Sequence, residues 1–198
     1  EAGTGVGGTW YWNRYPGARC DVESLEYSYS FDEELQQEWE WTERYSSQPE
    51  ILAYANHVAD RFSLRDSIQF ETRVEAAKFD EGDNVWSVLT SDGQTTICRF
   101  FVMATGCLSS TSLPEFDGLE NFGGTTIHTG QWPKEGVVLK GKRVGIVGTG
   151  SSAVQAIPVL AEECDELIVF QRTAQYTIPA RNAPLDPNKQ ADIKSRYS

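Results

Sequence analysis

The sequence predicts an α/β fold holding parts of two strand-and-helix domains, with a β-meander and a small helical insertion between their motifs. Three observations predict it. A strand–turn–helix–strand unit runs from Lys142 to Gln171. A glycine-rich segment opens the chain, of the kind that lets backbone approach a ligand closely. Between them lie three strand-like runs separated by turn clusters.

Residues 1–21 combine glycines with Trp10, Tyr11, Trp12 and Tyr15 and read as a loop. Glu33 to Trp41 reads as a short helix with Asp32 as its N-cap. A second helix follows, where Ser47 and Glu50 have capping-box spacing and Pro49 is tolerated in the first turn. Its apolar face is Ile51, Leu52, Tyr54, Ala55, Val58 and Phe62. The meander strands are Ser67–Phe79, Val85–Leu89 and Thr95–Ala104, with turns at 80–83 and 92–93. The third ends in Phe100-Phe101-Val102-Met103-Ala104, a run suited to a strand buried on both faces and returning to a parallel sheet. Residues 107–140 are irregular. Then come a strand at Lys142–Val147, a turn at Gly148–Gly150, a helix at Ser151–Glu163 that Pro158 should kink or loosen, and a strand at Glu166–Gln171. A last helix is expected over Pro187–Tyr197.

Composition narrows the partners. Seventeen Lys and Arg against 29 Asp and Glu give a net charge of −12, which repels phosphate backbones, so nucleic acid is not expected as a partner. No apolar run is long enough to cross a bilayer, so no membrane partner and a cytoplasmic location are expected. Cys20, Cys98, Cys107 and Cys164 have neither metal-ligand nor redox-pair spacing and are expected to be reduced, mostly buried thiols, with no metal site. The one methionine is Met103, the chain opens inside a loop lacking its strand, and it stops in a helix-like stretch. An internal fragment is the expectation.

Gly148-Thr149-Gly150-Ser151-Ser152-Ala153 fits G-x-G-x-x-G/A in the required setting of strand, turn, helix and second strand. Gly148 permits the turn, Gly150 the approach of a pyrophosphate, and Ala153 close packing of helix on strand. The helix N-terminus offers free N–H groups to phosphates. At the end of the second strand an NAD site usually carries an acid; this chain has Gln171-Arg172-Thr173, and Arg172 can pair with a 2′-phosphate, implying NADP. A surface arginine is the plainer alternative. Glu1, before the opening glycines, is placed like a ribose-binding acid of a second dinucleotide site, although read alone a surface residue is the plainer alternative. The fold class is therefore α/β with two dinucleotide-binding, Rossmann-like domains, both incomplete: residues 1–107, a linker at 108–140, and residues 141–198.

The stretch from Phe122 to Pro133 reads F-x-G-x-x-x-H-x-x-x-W-P, with Phe122, Gly124, His128, Trp132 and Pro133 at the fixed positions. It resembles the fingerprint of the Baeyer–Villiger monooxygenases. Residues 7–21 and Arg181-Asn182-Ala183-Pro184-Leu185-Asp186 resemble that family too, so the likeness runs through the whole chain.

The resemblance implies FAD in the first domain and NADPH in the second, with a ketone and O2 as substrates. Oxygen would be carried as a flavin C4a-peroxide and inserted to give an ester or lactone. It implies that Glu1 binds the FAD ribose and that Thr9, Trp10, Tyr11, Trp12, Asp21 and Tyr27 line the flavin. Arg19, Cys20 and Asp21 would border the nicotinamide. Thr149, Gly150, Ser151, Ser152, Ala153, Val154 and Gln155 would hold the NADP pyrophosphate, with Arg172 and Thr173 on the 2′-phosphate. His128 would act in domain motion rather than proton transfer, and Asp21 would support a catalytic arginine that lies beyond this chain. On that reading the chain alone is inactive. The alternatives are a flavin monooxygenase of amines or sulfides, against which Trp132-Pro133 counts, and a non-catalytic NADP-binding module.

Overall fold

The computed structural model describes residues 1–197. The first helical turn, α1 (Thr9–Trp12), lies inside the glycine-rich segment expected to be loop. Gly7 and Gly8 enter it at φ 118° and 51°, and the amides of Trp10 and Tyr11 close back onto their carbonyls. That left-handed entry is open to glycine at no steric cost.

Helix α2 (Glu33–Glu38) is capped by Asp32, whose carboxylate accepts from the Leu35 amide at 2.7 Å. It stops short of Trp41 because Trp39 turns to extended backbone, sending Trp39 and Trp41 onto Tyr54 at ring distances of 5.1 and 5.0 Å. Helix α3 (Gln48–Arg61) starts after Ser47, but the expected capping box is not formed. Glu50 instead accepts from the amide of Thr42 at 2.7 Å, tying the preceding loop to the helix. The inner face of α3, Ile51, Tyr54 and Val58, closes with Cys20, Leu35 and Trp41 into a first core.

The meander is an antiparallel sheet of β1 (Val74–Asp80), β2 (Val85–Thr90) and β3 (Thr95–Cys98) in that order. Its first strand begins later than expected, since a 3-10 turn at Leu64–Ser67 and a left-handed Glu71 occupy the approach. The third strand ends at Cys98, not Ala104. Phe100 is 86% and Val102 82% exposed. Among the described residues no strand lies beside this run, so it has neither ladder partners nor a face to bury.

The second unit pairs β4 (Arg143–Val147) in parallel with β5 (Glu166–Phe170), Ile146 facing Val169. Helix α4 (Ser151–Glu163) makes the crossover and continues unbroken through Pro158, so the expected disturbance reduces to one missing backbone donor. Ala153, Ala156 and Leu160 on α4 pack with Leu139 and Ile146 into a second core, with Tyr15 and Trp132 at its edge.

Helix α5 (Pro187–Lys194), capped by Asp186, is shorter than expected and returns to the first unit. The Trp41 amide donates to Gln190 Oε1 at 3.0 Å, and Lys194 Nζ donates to the carbonyls of Gln37 and Trp39. Just before it, Ala183 and Leu185 bond to Arg44 and Thr42, a pairing the sequence did not announce. All four cysteines are free, but burial is less than expected: Cys20 is buried and Cys107 is exposed in the irregular stretch. Among the described residues no helix is long and apolar enough to cross a membrane.

Candidate active site

Gly148 sits at the C-terminal end of β4 with φ 99°, and its amide donates to the Phe170 carbonyl at 2.8 Å. A Cβ added at Gly148 or Gly150 would meet nothing within 4 Å, leaving open space over the turn. No side chain caps the start of α4 at Ser151, Ser152 and Ala153, which leaves first-turn amides for a ligand. Ala153 and the fully buried Ala156 bring the helix axis close to the sheet. Across the turn, Gln171 Nε2 donates to Thr149 Oγ1 at 2.8 Å, so the ends of both strands are tied together. Arg172 and Thr173 follow on the same side and are exposed, and among the described residues Arg172 has no ion-pair partner. Uncapped helix amides and an exposed arginine on one side of the turn suit an anion.

The opening segment forms the second part. Glu1 folds its carboxylate back onto the Gly3 amide at 2.7 Å. Trp10 Nε1 donates to the Tyr27 hydroxyl at 3.0 Å with the rings edge-on, and Gln48 Nε2 holds the Trp10 carbonyl. Trp12 lies edge-on to Tyr11 at 5.0 Å and is half exposed, as is Tyr27. Beside Trp10 and Tyr27 a hollow of about 600 Å³ is lined in part by Gly7, Gly8, Tyr54 and Val58.

Residues 18–20 lie along residues 46–48, with Gln48 N donating to Ala18 O and Cys20 N to Ser46 O. The Arg19 guanidinium turns to Glu43 at 2.9 Å and the Tyr45 carbonyl. Burial raises the Glu43 pKa, but hydrogen bonds from Arg19 and Asn182 and the Arg19 charge outweigh it and hold the carboxyl below its ordinary value. Burial pushes the Cys20 thiol up, so it stays protonated and inert.

Gln155 brings the two parts together. Its amide bonds to the Tyr15 hydroxyl, to the Arg19 backbone and to Asp21. The side chain therefore faces the opening segment, whereas Ser151 and Ser152 stand at the turn. Gly17, at φ 79°, allows this contact: any Cβ there would collide with the Gln155 carbonyl.

In the linker, His128 Nδ1 accepts from the Gly130 amide at 3.1 Å, capping a 3-10 turn at Thr129–Gln131. The exposed Phe122 ring lies over Gly124, where a Cβ would stand 2.7 Å from it. Trp132 packs on the second core, and beyond Pro133 the Lys134 ammonium donates to the Tyr11 hydroxyl at 2.9 Å. Hydrogen bonds from Lys134 and then Thr4 lower the Tyr11 pKa to about 8. Sequence reasoning missed Tyr15, Gln48 and Lys134. Lys134 adjoins the fingerprint, but nothing in its spacing points to a tyrosine 123 positions away.

The pattern of the flavin-binding monooxygenase-like family matches residues 32–183. A Baeyer–Villiger monooxygenase of Pseudooceanicola batsensis is 48% identical over 197 residues, which cover 100% of this chain and 36% of that protein. A phenazine N-monooxygenase of Lysobacter antibioticus is 44% identical, with 100% and 36% covered. An oxidised steroid monooxygenase bound to NADP superposes with a TM-score of 0.95 at 57% identity, covering 100% of this chain and 38% of that one. The chain thus spans little more than a third of the length of the proteins it matches. With the family pattern over well more than half of its residues, the chain belongs to the flavin-binding monooxygenase-like family.

Proposed function

We propose that the chain is part of an FAD- and NADPH-dependent Baeyer–Villiger monooxygenase that converts ketones to esters or lactones with O2. The observation that carries this reading is the open, glycine-lined turn before α4, joined through Gln155 to the aromatic segment that ends at Asp21. The open turn supports a place for the dinucleotide, and the hollow beside Trp10 and Tyr27 supports one for the flavin.

On this reading Gly148 to Ala153 hold the pyrophosphate by backbone amides, and Arg172 and Thr173 take the 2′-phosphate. Glu1, Thr9, Trp10, Tyr11, Trp12, Asp21 and Tyr27 line the flavin, while Arg19, Cys20 and Asp21 border the nicotinamide. Hydride delivery, O2 activation and oxygen insertion are the chemistry of bound NADPH and FAD. The aromatic wall excludes water, Asp21 supplies a fixed negative charge, and His128 holds the linker turn. The domain division follows: residues 1–107 with the flavin, 108–140 as linker, 141–198 with NADP.

A second reading is oxygenation at nitrogen, favoured by the phenazine N-monooxygenase, whose identity over the same stretch is nearly as high. The test is the full-length protein supplied with NADPH, O2 and a panel of ketones and heteroaromatic amines, followed by product mass and NMR. Ester or lactone products support the proposal. N-oxides alone assign the second reading, and NADPH binding without turnover leaves a non-catalytic module.

A further inference from the structure

Gln155 lies in the second turn of α4, five positions beyond Gly150, and its amide uses every bond it can make. Oε1 accepts from the Tyr15 hydroxyl at 2.9 Å and from the Arg19 amide at 3.2 Å. Nε2 donates to the Arg19 carbonyl at 3.0 Å and to Asp21 Oδ1 at 2.9 Å. The amide orientation is fixed by the Arg19 backbone, whose N–H can only donate and whose C=O can only accept. No N–H is left over for a phosphate. Asp21 is exposed, and Gln155 is the partner that fixes its carboxylate from the opposite unit.

We propose that Gln155 is a positioning residue: it sets the Asp21 carboxylate and couples that carboxylate to the nucleotide turn at the head of α4. The inference rests on the proposed function, in which Asp21 borders flavin and nicotinamide. Because α4 is a rigid element packed on its sheet by Ala153, Ala156 and Leu160, a ligand that settles its N-terminus settles Gln155 with it. The fork of bonds then carries that order to residues 15–21. Gly17 pressed against the Gln155 carbonyl removes slack from the link.

Two measurements on the full-length protein test it. In hydrogen exchange, NADP+ is expected to slow amides across residues 15–21 as well as 148–153. In Gln155→Met the slowing is expected to be confined to 148–153. Absence of slowing across 15–21 in the wild type, or its persistence in the variant, overturns the inference whether or not the enzyme turns over. In kinetics, Gln155→Met is expected to lower kcat about tenfold, as loss of a charge-assisted hydrogen bond does, with the KM for NADPH little changed. In an Asp21→Ala background the same substitution is expected to add nothing. Effects that multiply, or a rise confined to KM, would mean that Gln155 acts on its own account. An inactive wild type would count against the proposed function alone.

Discussion

Lys134 and Tyr11, separated by 123 positions, meet through a 2.9 Å hydrogen bond from the ammonium to the phenolic oxygen, with the ammonium also 4.9 Å from the ring centre. This one contact fastens the linker to the aromatic segment. The Arg14 guanidinium adds a second cation 4.7 Å from the same ring. The hydrogen bond from Lys134, followed by that with Thr4, favours the phenolate, and the Tyr11 pKa falls to about 8.

The folded Tyr11 pKa lies below its unfolded value of 10.0, so the native state releases its proton first. The stabilisation is complete above the unfolded value and is lost as pH falls through about 8. Lys134→Met should return the phenol toward its ordinary pKa and remove this rise in melting temperature with pH. Ultraviolet titration of the phenolate checks the first, and melting at pH values on either side of about 8 checks the second. An unchanged titration would sink the account.

Arg172→Ala should weaken NADPH binding about ten- to a hundredfold through loss of charge-assisted bonds to the 2′-phosphate. NADH binding should scarcely move. Dissociation constants for both nucleotides on the full-length protein decide it; a parallel loss for both would assign Arg172 to general charge.

Gly148→Ala places a side chain at φ 99°, where the cost is backbone strain of about 1–3 kcal/mol rather than a clash. Melting temperature and NADP+ affinity should both fall. Ala156→Leu has a different cause, since Ala156 is fully buried between α4 and the sheet. Overpacking should cost about 1–3 kcal/mol in unfolding experiments, with nucleotide affinity lowered only as far as the turn shifts.

Phe100, Val102 and Met103 form an exposed apolar run of the kind that drives association. The 198-residue chain produced alone should bind a hydrophobic dye and elute above its 22.1 kDa mass. Phe100→Ser with Val102→Ser should reduce both. A monomeric, dye-silent chain would show that the run finds cover within the chain.

The second unit was legible because its signals are local. A β-run, two glycines, a helix and a second β-run lie in consecutive positions; the helix bounds are as expected and each strand differs by one residue at one end. The errors fell where a distant partner decided the outcome. Ser47 and Glu50 have capping-box spacing, but the Thr42 amide draws the Glu50 carboxylate away. Trp41 looked like a helix residue and is instead held by Gln190. The run from Phe100 to Ala104 had strand composition, yet composition cannot supply a neighbouring strand. At the site, the glycines and Arg172 were readable from type and spacing, whereas Gln155 was expected beside the pyrophosphate and was not legible as a bridge to Tyr15, Arg19 and Asp21.

The return of α5 to the first core bears on the order in which the chain can mature during synthesis. Trp41 waits for Gln190, 149 positions later, and the carbonyls of Gln37 and Trp39 wait for Lys194. At ribosomal speeds that interval is on the order of ten seconds. Through it, the aromatic cluster around Trp39, Trp41 and Tyr54 is an unsealed surface while the 143–170 unit is already able to close. The cluster therefore stays open until Gln190 and Lys194 have been made.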